Sequence, residues 1–166
     1  TGVAKFPIQD WDAYELQLSK RLGLDNTLMK VIINKAKSKP KRVVLADAEN
    51  LSVLKAAKEV REEGIATPIL LGNREVIEQM LADNKIDLPN VEIIDPYVPT
   101  TKEDKARSAR YSEEFFLRRQ RQGYNKAEAQ KIIRRRNYFG SMMVDMGDAD
   151  AMISGATRNY KDVVIF

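Results

Sequence analysis

The 166-residue chain contains no cysteine and no histidine. Without cysteine there are no disulfides, thiolate nucleophiles, Cys-based zinc sites or iron–sulfur clusters. Without histidine there is no imidazole general base and no Ser-His-Asp triad. Any metal site built from these residues would have to use oxygen ligands. Long apolar runs are missing too: nothing approaches the roughly 18–20 residues needed to cross a bilayer. The N-terminal stretch Thr1–Tyr14 also lacks the apolar core of a signal peptide. Neither GxGxxG nor GxxxxGK[ST] occurs, which argues against a dinucleotide or nucleoside-triphosphate loop. With 43% hydrophobic and 31% charged residues the chain can nevertheless build a core. The expectation is a cytoplasmic α/β protein with no membrane partner. The absence of an initiator Met and the apolar ending Val163-Val164-Ile165-Phe166 suggest a segment cut from a longer polypeptide at both ends.

The net charge of +4 hides an uneven distribution. Residues 101–136 hold 12 Lys/Arg against 5 Asp/Glu, a local balance of +7, so the remainder carries −3. A basic helical stripe on a mildly acidic body can meet nucleic acid, an anionic cofactor or a partner subunit, or it can simply be a solvated face. Nucleic acid is the weakest of these. Tyr111, Phe115 and Phe116 precede the arginines on a probable packing face, which leaves no platform for stacked bases.

The hydrophobic pattern gives the order of elements. Residues 1–8 read as an extended linker, with Pro7 disfavouring helix at Phe6. Asp10 has the character of an N-cap, and Trp11, Tyr14, Leu18 and Leu22 recur at helical spacing up to Gly23. A second helix begins near Asp25 or Asn26, carries Leu28, Val31 and Ile32, and ends before Pro40. These two helices need something to cover them. From Arg42 the pattern becomes alternating strands and helices. The run 43–46 reads as a strand buried on both faces, 51–63 as a helix capped by Gly64, and 68–72 as a strand. A helix over 74–81 and a strand over 91–94 follow. Such alternation predicts crossover units and a largely parallel sheet. Two longer helices are expected over 101–121 and 126–146, then a strand over 151–153 leading into Ser154-Gly155-Ala156.

In a parallel sheet the ligands bind beyond the carboxyl ends of the strands. The first such end, Asp47-Ala48-Glu49-Asn50, is acidic and would repel phosphate, and its charges suit the N-terminus of the following helix. The last end is better suited to an anion. Gly155 permits a tight turn, and Ser154, Thr157, Arg158 and Asn159 offer donors, although the polar residues could equally cap turns. Within 126–146, Ala129, Ile132, Arg136, Phe139, Met143 and Met146 form a core stripe interrupted by one arginine. That arginine must snorkel or meet a buried anion, and the neighbouring Arg134 and Arg135 favour snorkelling.

Residues 137–157, with Tyr138-Phe139-Gly140, Met142-Met143, Gly147-Asp148-Ala149-Asp150 and Ser154-Gly155-Ala156, resemble the phosphotransacetylase signature. Arg42–Asn50, Gly64–Gly72 and Ile93–Pro96 also fit the first half of that family's domain. Gly2–Ile8 and Arg134–Asn137 resemble more particularly the hybrid NADP-dependent malic enzymes, in which a malic-enzyme half is joined to a phosphotransacetylase-like half. The resemblance implies an α/β parallel-sheet domain of phosphotransacetylase type (isocitrate/isopropylmalate dehydrogenase-like) over residues 40–166. Before it, residues 1–39 would be a linker and helical segment following an absent malic-enzyme half.

The resemblance also carries functional expectations. A phosphotransacetylase moves an acetyl group between coenzyme A and phosphate, and its Ser-Arg and Asp catalytic signature would lie beyond this chain. The arginine that meets coenzyme A falls on Arg119, and the acetyl-CoA or phosphate contacts that the resemblance implies are Arg119, Ser154, Gly155, Thr157 and Arg158. A second family arginine falls on Ile165, and the family histidine after the SGA loop is replaced by Arg158. Both changes speak against acetyl transfer. In the hybrid enzymes such a domain would be non-catalytic, regulatory and homo-oligomerising, with acetyl-CoA as effector. Malate, NADP and the divalent metal (Mg or Mn) would be bound outside this segment. The alternative is a phosphate acetyl- or butyryltransferase.

Overall fold

A computed structural model describes residues 10–21 and 27–157. It divides into two compact units, residues 1–39 and 40–166. The first holds two helices, α1 (Trp11–Arg21) and α2 (Thr27–Ser38). Asp10 is the N-cap of α1, its carboxylate accepting the Ala13 N–H at 3.0 Å. Leu22 and Gly23, expected at the end of this helix, and Asp25 and Asn26, expected to open the next, lie outside the described residues.

The second unit alternates strands and helices as the pattern requires. In order these are β1 (Lys41–Leu45), α3 (Leu51–Glu62), β2 (Ala66–Leu71), α4 (Arg74–Asp83) and β3 (Glu92–Ile94). Then come α5 (Lys102–Arg119), a 3-10 turn (Gln120–Gln122), α6 (Lys126–Ile133), α7 (Arg136–Asp145) and β4 (Ala151–Ile153). The four strands form one parallel sheet in the order β3-β2-β1-β4. Side chains alternate between the faces of a strand, so each face gathers its own core. Val44, Ile69, Leu71 and Ile94 meet Tyr111, Phe115, Ile133, Phe139 and Met143 of α5–α7. On the other face Leu70 and Ile93 meet Leu54, Ala57 and Ile77 of α3 and α4.

Local chemistry explains most boundaries. Asn50, Asn73, Thr101 and Asn125 cap α3, α4, α5 and α6 by accepting a backbone N–H, and Asn125 closes a full capping box with Glu128. Asp95 ends β3 by accepting the N–H groups of Tyr97 (2.8 Å) and Val98 (3.1 Å). Gly140 sits where α7 crosses the sheet. A Cβ there would lie 2.5 Å from Met152 Sδ and 3.3 Å from both Leu71 and Val44, so only glycine allows this approach.

Two expectations need correction. The helix expected over 126–146 is broken: Arg134 caps α6, and Arg135 is extended (φ −76°, ψ 128°) before α7 begins. The break falls at two exposed arginines and lets α6 and α7 pack separately, with Ile133 and Phe139 both reaching the core on one face of the sheet. The break also moves the buried position from Ile132 to Ile133, which is fully buried. Second, β1 is not buried on both faces. Val44 is fully covered, but Val43 and Leu45 are half-buried. They line an apolar groove of 410 Å³ with Val53, Ala56, Pro68 and the exposed Ile153 of edge strand β4.

Candidate functional site: the carboxyl edge of the sheet

The turn after β4 is bound to the turn after β1. Asp47 is 3% exposed and carries the contact. Its Oδ2 accepts the N–H groups of Gly155 (2.8 Å) and Ala156 (3.0 Å), and its Oδ1 accepts the Thr157 hydroxyl (2.7 Å). Gly155 makes this possible with φ +119°, a backbone conformation that side-chain-bearing residues avoid. Burial alone would raise the Asp47 pKa. The Thr157 hydroxyl, the two backbone N–H groups and the charge of Arg136 outweigh it and hold the carboxyl below its ordinary value. Beside this clamp the Ser154 hydroxyl donates to Asn137 Oδ1 at 2.9 Å, tying the same turn to the start of α7.

Glu49 makes a second link. It accepts the Asn73 N–H at 2.8 Å and pairs with Arg136 at 3.2 Å. Arg136 therefore meets a carboxylate instead of snorkelling, with its side chain only 13% exposed, while Arg134 and Arg135 take the solvent. The Nε of Arg136 is buried without a hydrogen-bond partner. Asp47 and Glu49 precede α3 as expected, and their carboxylates also have specific partners. Asn50 does the capping of α3, accepting the Ser52 N–H at 2.9 Å, and the two carboxylates are committed to other elements.

Three expected ligand contacts thus have internal partners. The anion facing Gly155 and Thr157 is Asp47 of the same chain, and the Ser154 hydroxyl is spent on Asn137. Arg158 lies outside the described residues. Arg119 is found elsewhere. The adjacent Arg118 pairs with Asp145, the last residue of α7, at 2.8 Å, whereas Ser154 meets Asn137 near the helix start. Eight helical residues separate those two contacts, about 12 Å along the axis, so Arg119 and the SGA turn are not brought together. Arg119 donates to Gln122 Oε1 at 2.9 Å. It also lines a 310 Å³ cavity with Phe115, Arg118, Tyr138, Ser141, Met142 and Asp145.

Sequence reading missed the partnership of Asn137 with Ser154 and of Glu49 with Arg136. No spacing rule joins residues so far apart. It also missed what the basic stripe does: Arg107, Arg110, Arg118, Lys126 and Arg136 each face a carboxylate. Around Asp148 two donors converge, since Arg110 and the buried Tyr111 both donate to it. Burial, then the bond to Asp148 and its charge, push the Tyr111 hydroxyl well up, against the smaller opposing pull of Arg107 and Arg110.

The lineage follows from comparison with known proteins. The sequence profile of the family described as phosphate acetyl/butaryl transferase matches residues 27–165. The chain belongs to this family. Its fold agrees: the phosphotransacetylase from Streptococcus pyogenes superposes with a TM-score of 0.71 at 30% identity, over 85% of this chain and 41% of that one. The NADP-dependent malic enzyme of Rhizobium meliloti is 35% identical over 161 residues, covering 96% of this chain and 21% of that protein. The phosphate acetyltransferase of Thermoanaerobacterium thermosaccharolyticum is 38% identical over 138 residues, covering 83% of this chain and 40% of that protein. The chain therefore spans about a fifth of the malic enzymes it matches and two fifths of the acetyltransferase. Within this phosphotransacetylase-like fold no helix among the described residues is long and apolar enough to cross a membrane. No group of three acidic residues among them converges as a metal site.

Proposed function

We propose that this segment is the phosphotransacetylase-like regulatory and oligomerising part of an NADP-dependent malic enzyme, binding acetyl-CoA without catalysing acetyl transfer. The observation that carries the reading is the extent of the alignments. The family profile begins at Thr27, yet the malic-enzyme match takes in 96% of the chain and so includes α1. An acetyl-CoA phosphate would be met by Arg119, in a cavity that Phe115 and Tyr138 also line. Arg158 is a second cationic contact in this reading. Ser154, Gly155 and Thr157 enter it as residues that hold the turn in place. NADP, malate and the divalent cation belong to the malic-enzyme part. An effector that prefers one quaternary state then shifts malate oxidation without touching its chemistry.

The experiment is a calorimetric titration of the full-length protein with acetyl-CoA, repeated on Arg119→Ala. A charge-assisted phosphate contact contributes about 1.5–3 kcal/mol, so the variant should bind roughly ten-fold or more weakly. Equal affinity in both proteins would remove Arg119 from the site, and no saturable heat in either would remove the effector. A second reading, acetyl or butyryl transfer to phosphate, is favoured by the 38% identity to the acetyltransferase. Acetyl phosphate formation from acetyl-CoA and phosphate by the full-length protein would establish it.

A further inference from the structure

The family fold does not account for α1. It lies before Thr27, where the family profile begins, and one side of it carries three large apolar side chains. Trp11 is 68% exposed, and Tyr14 and Leu18 are each 42% exposed. At about 100° per residue these positions fall within a 60° sector of the helix. Trp11 and Tyr14 are already arranged as a unit, with ring centroids 6.1 Å apart and edge to face. The opposite side carries Ala13, whose N–H is held by the Asp10 cap. A tryptophan and a tyrosine side by side on a narrow exposed stripe are the residue types that anchor protein interfaces, and such a patch marks an interaction surface.

The comparisons indicate what covers it. At 96% and 98% coverage, no more than about seven residues of this chain lie outside the malic-enzyme alignments, so α1 is shared with those proteins. Those relatives are about five times longer than the aligned segment, which leaves an extensive surface for α1 to meet. We infer that the Trp11–Tyr14–Leu18 face of α1 docks against the malic-enzyme part of the same protein and couples the two parts mechanically. This rests on the functional reading above and adds to it the element through which an effector signal passes.

The test places a benzophenone photo-crosslinking residue at Tyr14 in the full-length protein, and at Ala13 on the opposite side as control. Both positions are exposed, and an aromatic benzophenone side chain at position 14 keeps a ring beside Trp11. Cross-links from position 14 to peptides of the malic-enzyme part, lost at position 13, are the expected result. Cross-links confined to a second copy of residues 10–157, or none at all, would overturn the docking surface while leaving the functional reading standing. A full-length sequence without a malic-enzyme part would sink both.

Discussion

Asp47 and Thr157 stand 110 residues apart in the chain and are joined by a 2.7 Å hydrogen bond at the carboxyl edge of the sheet. With the N–H groups of Gly155 and Ala156 on the same carboxylate, the bond closes the turn after edge strand β4 onto the turn after β1. Asp47→Ala would leave two backbone donors and a hydroxyl without their acceptor. The three donors belong to exposed residues, so water can take over part of the carboxylate's role, and a loss of about 1–2 kcal/mol is expected in urea unfolding. A loss within ordinary surface scatter would show that water replaces the carboxylate.

The same carboxyl sets a pH dependence. Its folded pKa lies below the ordinary 3.8, so the unfolded chain binds more protons as acid is added. Its stabilisation is fully present above the unfolded value and is lost as pH falls through the folded one. Asp150 acts in the same direction, lowered first by the Arg42 backbone N–H and then by the Arg42 and Lys41 side chains, against some desolvation. Urea midpoints of the wild type should therefore fall between pH 5 and the acid range. In Asp47→Asn the fall should be shallower, and parallel curves would exclude Asp47 as a contributor.

How far the sequence reveals this edge depends on range. The Asp10 cap and the alternation of strand and helix are local, so they are legible in the residues. The strand order β3-β2-β1-β4 is not local, and neither is the pairing of Asp47 with a turn more than a hundred residues away. Sequence reading found the donors of the SGA turn and assigned them to an external anion. Their acceptor was an acidic residue already noted after β1, but nothing in spacing says that β1 and β4 are neighbours. The helix break at Arg134–Arg135 escaped for another reason. Alanine, isoleucine, arginine and methionine all suit helix, so no residue type at 134–135 marks the break.

Glu49 and Arg136 should respond unequally to substitution. Replacing Arg136 with methionine removes a mostly buried charge and its orphaned Nε, and leaves behind a Glu49 carboxylate that solvent reaches, so the loss is expected to stay below about 1 kcal/mol. Glu49→Gln instead leaves the guanidinium uncompensated. Since Glu49 is 35% exposed, solvent softens the penalty to about 1–2 kcal/mol. Chemical unfolding of both variants gives the comparison, and an equal loss in both would contradict it.

Gly140→Ala tests the approach of α7 to the sheet. The Met152 sulfur can swing away from an added methyl, but Leu71 and Val44 at 3.3 Å belong to the packed core. Overpacking of this kind costs about 1–3 kcal/mol, and a matching fall in unfolding midpoint is expected. No change would mean that α7 can lift from the sheet without loss.

The most direct test of the functional reading is the initial rate of malate-dependent NADP reduction by the full-length protein, with and without acetyl-CoA. A rate that falls saturably with acetyl-CoA, and falls only at higher concentrations in Arg119→Ala, is the expected result. A full-length protein that reduces no NADP, or whose rate ignores acetyl-CoA, would contradict the assignment of this segment as its regulatory part.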